Sequence, residues 1–142
     1  MTKINSRILA LLLATTVSFA AHAASWKLVA NNSVSTTTLS KKQVADLFLK
    51  KTAKWDSGAA VVPVDQVDAS TAREAFSKAV HGKSAAAVKS YWNQQIFSGR
   101  DVPPVEKRTD NEVLSFVRST PGAIGYVSDG TPTDGVRVIA VN

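Results

Sequence analysis

The sequence predicts an α/β domain, a mostly parallel or mixed sheet of about four strands with helices on both faces. Three observations predict it. Short apolar runs alternate along the chain with segments of helical periodicity. The run "AAVVPV" (Ala59 to Val64) is continuously apolar, as expected of a strand buried on both faces. Ala72, Ala75, Phe76, Ala79 and Val80 recur at i, i+3, i+4, i+7 and i+8, which is a helical stripe. There is no internal repeat and no low-complexity tract.

The elements follow in order. Residues 1–23 read as a secretory signal peptide: Lys3 and Arg7 charge its start, "ILALLLATTVSFAA" is its apolar region, and "AHA" offers small residues for cleavage. The apolar run is shorter than the roughly 20 residues a membrane span requires. One domain, 24–142, remains, and it is large enough for an ordinary core. "WKLVA" (Trp26 to Ala30) is a first strand and "NNSVSTTT" a polar connection. In "LSKKQVADLFLKK", Ser40 and Gln43 have capping-box spacing, Leu39 and Val44 form a hydrophobic staple, and Val44, Leu47 and Phe48 form the buried stripe. "KWDSG" is a turn with Gly58 at positive φ. "AAVVPV" is the second strand.

A helix then carries the stripe from Ala72 to Val80, with Thr71 and Glu74 as its capping box and Gly82 as its C′ residue. "KSAAAVKSYWNQQIFSG" is the third helix, capped by Ser84, with Val88, Tyr91 or Trp92, and Ile96 facing inward. Pro103 and Pro104 make "RDVPPVEKR" a loop. "TDNEVLSFVRSTPG" is a fourth helix with Thr109 and Glu112 as a capping box, and "AIGYV" and "VRVIAV" are the last two strands.

Composition narrows the chemistry. Of 17 Lys and Arg, two lie in the signal segment, which leaves 15 against 11 acidic residues and a net charge of about +4 for 24–142. That mild basicity suits small anions and does not point to nucleic acid. Lys41, Lys42, Lys50, Lys51 and Lys54 form the one local cluster and read as a solvated face. With no cysteine, the domain relies on its core rather than on disulfides, thiolate metal sites are excluded, and so is a lipoprotein anchor. Beyond the signal segment His81 is the single histidine, which excludes a multi-histidine metal cluster, and no nucleophile elbow accompanies it. No phosphate loop or dinucleotide fingerprint is present. Asp65 and Asp68 are the remaining acid–base pair, and a hydrolase built on them is the weakest of three readings. No cofactor is implied.

The informative stretch is "VDQVDASTAREAF" (Val64 to Phe76). Asp68, Ser70 and Thr71 place a carboxylate and two hydroxyls at a helix mouth, where first-turn N–H groups are unpaired and carry the positive end of the dipole. Arg73 adds a charge one turn in. Such a set can hold a small tetrahedral anion, with Asp68 accepting a proton from it. Hydrogen phosphate carries that proton and sulfate does not.

The order "LSKKQVADLFLKKTAKW", "VVPVDQVDASTAREAF", "YWNQQIFSGR", "TPGAIGYV" resembles the substrate-binding proteins of bacterial phosphate ABC transporters, and more closely their short exported members. The resemblance covers nearly all of 24–142. It implies a single lobe of a type II periplasmic-binding-protein-like fold. It also implies a phosphate-binding turn of the form R-x-D-G-S-G-T over Gln66, Val67, Asp68, Ala69, Ser70, Thr71 and Ala72. Asp68 and Ser70 match that turn. Gln66 replaces its arginine, Ala69 and Thr71 its glycines, and Ala72 its threonine, with Arg73 one residue further on. Losing a bidentate guanidinium removes the strongest oxyanion contact. Gly122, Ile124, Gly125 and Tyr126 match the closing strand and read as packing.

Two functions are therefore expected. The first is a non-catalytic periplasmic protein that binds phosphate or a similar oxyanion through Gln66, Asp68, Ser70, Thr71 and Arg73 and serves an ABC permease. The alternative is an interaction module of the same fold that has lost its ligand and docks on an envelope sensor or transporter component.

Overall fold

The computed structural model describes residues 25–142; the expected signal segment lies outside the described residues. The chain runs β1 (Trp26–Ala30), β2 (Thr38–Leu39), α1 (Lys41–Phe48), β3 (Val62–Gln66), α2 (Thr71–Phe76), a π-helical turn (Ser77–His81), α3 (Ala85–Phe97), β4 (Val105–Lys107), α4 (Asp110–Ser119), β5 (Ala123–Ser128) and β6 (Arg137–Val141). The six strands form one mixed sheet in the order β2-β6-β1-β5-β3-β4. β4, β3 and β5 are parallel, and β1 is antiparallel to both β5 and β6.

Strand alternation divides the core into two layers. Leu28, Ala30, Ile124, Tyr126 and Ile139 face one side, where they meet Val44, Leu47 and Phe48 of α1 and Ala72 and Phe76 of α2. Val29, Ala123 and Val127 face the other side and meet Val113, Leu114 and Val117 of α4. The register pairs Leu28 with Tyr126 and Val29 with Gly125, so each layer is continuous across the two central strands. At Gly125 α4 approaches the sheet closely. A Cβ there would lie 2.7 Å from Val64 Cγ1 and 2.9 Å from Val113 Cγ1. Gly122 has φ +76°, and its missing Cβ would lie 2.2 Å from the Ala60 carbonyl. Its own carbonyl accepts from Trp55 Nε1 at 2.9 Å, which ties the β3 approach loop to the start of β5.

The α/β class, the strands predicted at the positions of β1, β3, β5 and β6, and all four helices are found. Ser40 caps α1 with Gln43 completing the box, Ser84 caps α3, and Gly58 and Gly82 take positive φ. Five expectations need correction. Two further strands, β2 and β4, occupy segments read as connections; β4 starts directly after Pro104 and pairs only with β3, so the proline removes no ladder hydrogen bond. The N-cap of α2 is Ser70, whose oxygen accepts from Arg73 N. The Thr71–Glu74 box is therefore absent, and Glu74 instead accepts from Ala85 N at 3.0 Å, joining α2 to α3. At α4 Thr109 caps as expected, but Glu112 reaches back to Arg108 N rather than to the cap residue. The end of the second helix widens into the π turn. Finally, Ile96 is half exposed, because the inward face of α3 is completed by Ala85, Val88 and Trp92.

Candidate functional site

The carboxyl ends of the parallel strands β4, β3 and β5 carry a polar cluster, at the position where open α/β sheets receive ligands. The last two residues of β3 are Asp65 and Gln66, both buried within an otherwise apolar strand. Burial of a charge and an amide demands partners. Asp65 Oδ1 accepts from Gln66 N at 2.8 Å and from the Tyr126 hydroxyl, and Asp65 Oδ2 lies 3.9 Å from Arg73 Nη2. The Gln66 side chain is fully engaged. Its Nε2 donates to Asp110 Oδ1 at 3.0 Å and to the Tyr126 carbonyl at 2.9 Å, and its Oε1 accepts from the Ser70 hydroxyl at 2.5 Å.

Arg73 is the centre of the cluster. It sits in the first turn of α2 with its side chain 3% exposed. Nη1 donates to the Gln66 carbonyl at 2.5 Å and to Glu106 Oε1 at 3.0 Å, and lies 3.1 Å from Asp68 Oδ1. Its Nε is buried and has no partner. The guanidinium thus joins β3, the turn before α2 and the edge strand β4. Asp68, on the exposed turn, also accepts from Lys89 Nζ of α3. Ser70 bridges Gln66 and the first turn, accepting from Arg73 N at 3.2 Å. Thr71 is exposed and lines a separate shallow cleft with Trp26 and Lys78.

Gln66, Asp68, Ser70 and Arg73 are therefore in mutual contact, and Thr71 is the first residue of the same helix. The sequence reading did not assign Asp110, Glu106, Lys89 or Tyr126. One signal was available: Asp65 and Gln66 end an apolar strand run, and buried polar groups there require donors from elsewhere in the chain. Tyr126, read as packing, stacks on Phe76 and also donates its hydroxyl to Asp65.

The electrostatics divide the carboxylates. Burial pushes Asp65 above the ordinary carboxylate range, and Arg73 and the Tyr126 and Gln66 donors offset that only in part. The Lys89 hydrogen bond holds Asp68 below that range. Burial also works against the Asp110 carboxylate, but hydrogen bonds from Thr131, Ser128 and Gln66 outweigh it and its pKa is lowered. Burial and the neighbouring Asp65 carboxylate push the Tyr126 phenol up, so it remains a proton donor. Among the described residues, no group of three or more His, Asp or Glu is arranged to hold a metal ion, and no helix is long and apolar enough to cross a membrane.

No family model and no curated protein sequence matches the chain. Solved structures do. A Clostridium perfringens protein assigned as a phosphate ABC transporter substrate-binding protein, with bound phosphate, aligns at a TM-score of 0.66 and 22% identity over 83% of this chain and 45% of its own. An ABC-type phosphate transport receptor from Vibrio cholerae aligns at 0.65 and 16% identity, over 83% of this chain and 46% of its own. PstS from Borrelia burgdorferi aligns at 0.60 and 14%, over 84% and 47%. This chain spans less than half the length of each. It shares the fold of about one half of the substrate-binding proteins of phosphate ABC transporters.

Proposed function

We propose that this chain is a non-catalytic solute-binding lobe, exported to the periplasm, whose ligand is phosphate or a similar protonated oxyanion. The observation that carries this reading is the convergence of Asp68, Ser70 and Arg73 at the mouth of α2 and at the carboxyl ends of parallel strands. The Thr71 and Ala72 N–H groups, first in the helix, have no intrahelical acceptor and are the backbone donors an anion at this mouth would use. In this reading Thr71 adds a hydroxyl donor, Ser70 adds a second by turning its O–H from Gln66 Oε1 to the ligand, and Asp68 accepts the ligand's proton. Gln66 holds Ser70 in place, and Arg73 supplies charge from behind the turn. Direct contact with Arg73 requires Asp68, which is half exposed, to rotate away. The solved structures of like fold support the ligand class, and their transporters suggest an ABC permease as the partner.

One observation favours the alternative reading, an interaction module that docks on an envelope sensor or transporter component. Arg73 already has Asp68, Glu106 and the Gln66 carbonyl as acceptors, so the protein's own oxygens occupy the guanidinium. Calorimetric titration with phosphate and with sulfate at fixed ionic strength separates the two. The receptor reading predicts saturable phosphate binding that Asp68→Asn and Ser70→Ala each weaken, with sulfate weaker throughout. Absence of heat with phosphate, alongside co-purification of an envelope protein, supports the alternative.

A further inference from the structure

Between α1, the end of the π-helical turn and the first half of α3 lies a cleft of about 490 Å³. Its position and chemistry are independent of the Arg73 cluster. Leu49, Val80 and Val88 line it with apolar surface, and Tyr91 stands at its wall. Lys51, Lys83 and His81 supply its polar groups. A further lysine on the wall, Lys42, is neutralised by Asp46 at 2.7 Å, whereas Lys51 and Lys83 have no ion-pair partner among the described residues. His81 packs edge-on against Phe76, with centroids 5.7 Å apart. Its Nδ1 is buried without a hydrogen-bond partner. Nε2 is then the ring atom left to meet a ligand.

We propose that this cleft binds a small organic carboxylate with an apolar body, the carboxylate held by Lys51, Lys83 and the His81 ring and the body lying on Leu49, Val80 and Val88. The volume suits a ligand of this kind, since small-molecule sites range over a few hundred to about 1,000 Å³ and combine an apolar lining with a few polar groups. Two ammonium groups with no carboxylate of their own leave a local excess of positive charge, which an anion relieves. The apolar floor distinguishes the site from one built for a fully hydrated ion such as phosphate. The same excess charge acts on His81: burial, then Lys83 and Lys51, lower its pKa to about 4. A bound carboxylate adds an opposing charge and raises it.

The test uses hexanoate as the probe and the exported protein, from which removal of residues 1–23 takes His22 away, so that His81 is the sole imidazole. Proton NMR of the ring follows binding and pKa together. The expected result is a saturable shift of the His81 ring signals, a rise in its pKa with hexanoate bound, and affinity lowered about tenfold or more in Lys51→Gln/Lys83→Gln, in keeping with the loss of charge-assisted hydrogen bonds. Both lysines are on the surface, so the double variant keeps its fold, and its unchanged amide spectrum elsewhere confirms that. Ring signals that stay fixed through tens of millimolar hexanoate overturn the proposal. Equal binding of hexanoate by the double variant overturns it too, as does a response to inorganic phosphate as strong as that to hexanoate.

Discussion

Arg73 and Glu106 form an ion pair of 3.0 Å across 33 positions of sequence, and it fastens the first turn of α2 to the edge strand β4. The two partners differ in surroundings. The Arg73 side chain is 3% exposed and the Glu106 side chain 44%. The consequences of removing either one therefore differ.

Replacing Arg73 by Ala strands the buried Asp65 carboxylate and empties the centre of the cluster. Removing one partner of a buried ion pair costs about 3–5 kcal/mol. Arg73→Lys recovers only part of it, because a single ammonium cannot serve Asp65, the Gln66 carbonyl and Glu106 together. Glu106→Gln leaves a half-exposed pair weakened and costs about 1 kcal/mol or less. Urea unfolding of the three variants checks the order.

Tyr126 lies flat on Phe76, with ring centroids 3.9 Å apart and planes 7° apart, while its hydroxyl donates to Asp65. Tyr126→Phe keeps the stack and removes the donor. The buried Asp65 oxygen then has one donor fewer, which costs about 1–3 kcal/mol, and the Asp65 pKa rises further. Denaturant unfolding of the variant measures the first effect and carbon NMR of the carboxyl the second.

Gly125→Ala forces a methyl group against Val64 and Val113, both fully buried. Over-packing of this kind costs about 1–3 kcal/mol. The same substitution at Gly130, where an added Cβ meets nothing within 4 Å, is expected to change stability by less than about 0.5 kcal/mol. Thermal unfolding of the pair shows whether close approach of α4 or chain flexibility governs the effect.

His81 gives the stability a pH dependence. Burial, Lys83 and Lys51 lower its pKa to about 4 in the fold from an ordinary 6.5. Between those values the unfolded chain binds a proton that the folded chain does not, so stability falls as pH drops from 6.5 towards 4 and is unaffected by His81 above that range. The full loss is up to about 3 kcal/mol before solvent screening reduces it. Asp65, whose pKa is raised, acts in the opposite sense: its contribution declines as pH rises above its ordinary 3.8. Comparing wild type with His81→Gln between pH 7 and 5 isolates the histidine, and the variant is expected to lose less stability.

Much of this arrangement was legible in the sequence because it is local. Periodicity placed all four helices, and the caps at Ser40, Ser84 and Thr109 followed from residue type and spacing. The cap of α2 was displaced by one residue, since Ser70 and Thr71 both qualify and Ser70 is the one tied to Gln66. The short strands β2 and β4 carry too few residues for a pattern to show; each is held by one long-range neighbour, β6 and β3 respectively. The candidate site divides in the same way. Asp68, Ser70 and Arg73 were visible as a helix mouth. The burial of Arg73 was not, because its partner Glu106 arrives through β4, whose pairing the sequence does not announce.

The most direct test of the proposed function is thermal unfolding with phosphate at constant ionic strength, with sulfate as the control. A ligand that binds only the folded state at about 100 times its dissociation constant stabilises it by roughly 2.7 kcal/mol, which moves the midpoint of a domain of this size by several degrees. A phosphate-specific rise that disappears in Asp68→Asn is the result this account predicts. An unchanged midpoint through millimolar phosphate, or an equal rise with sulfate, would contradict it.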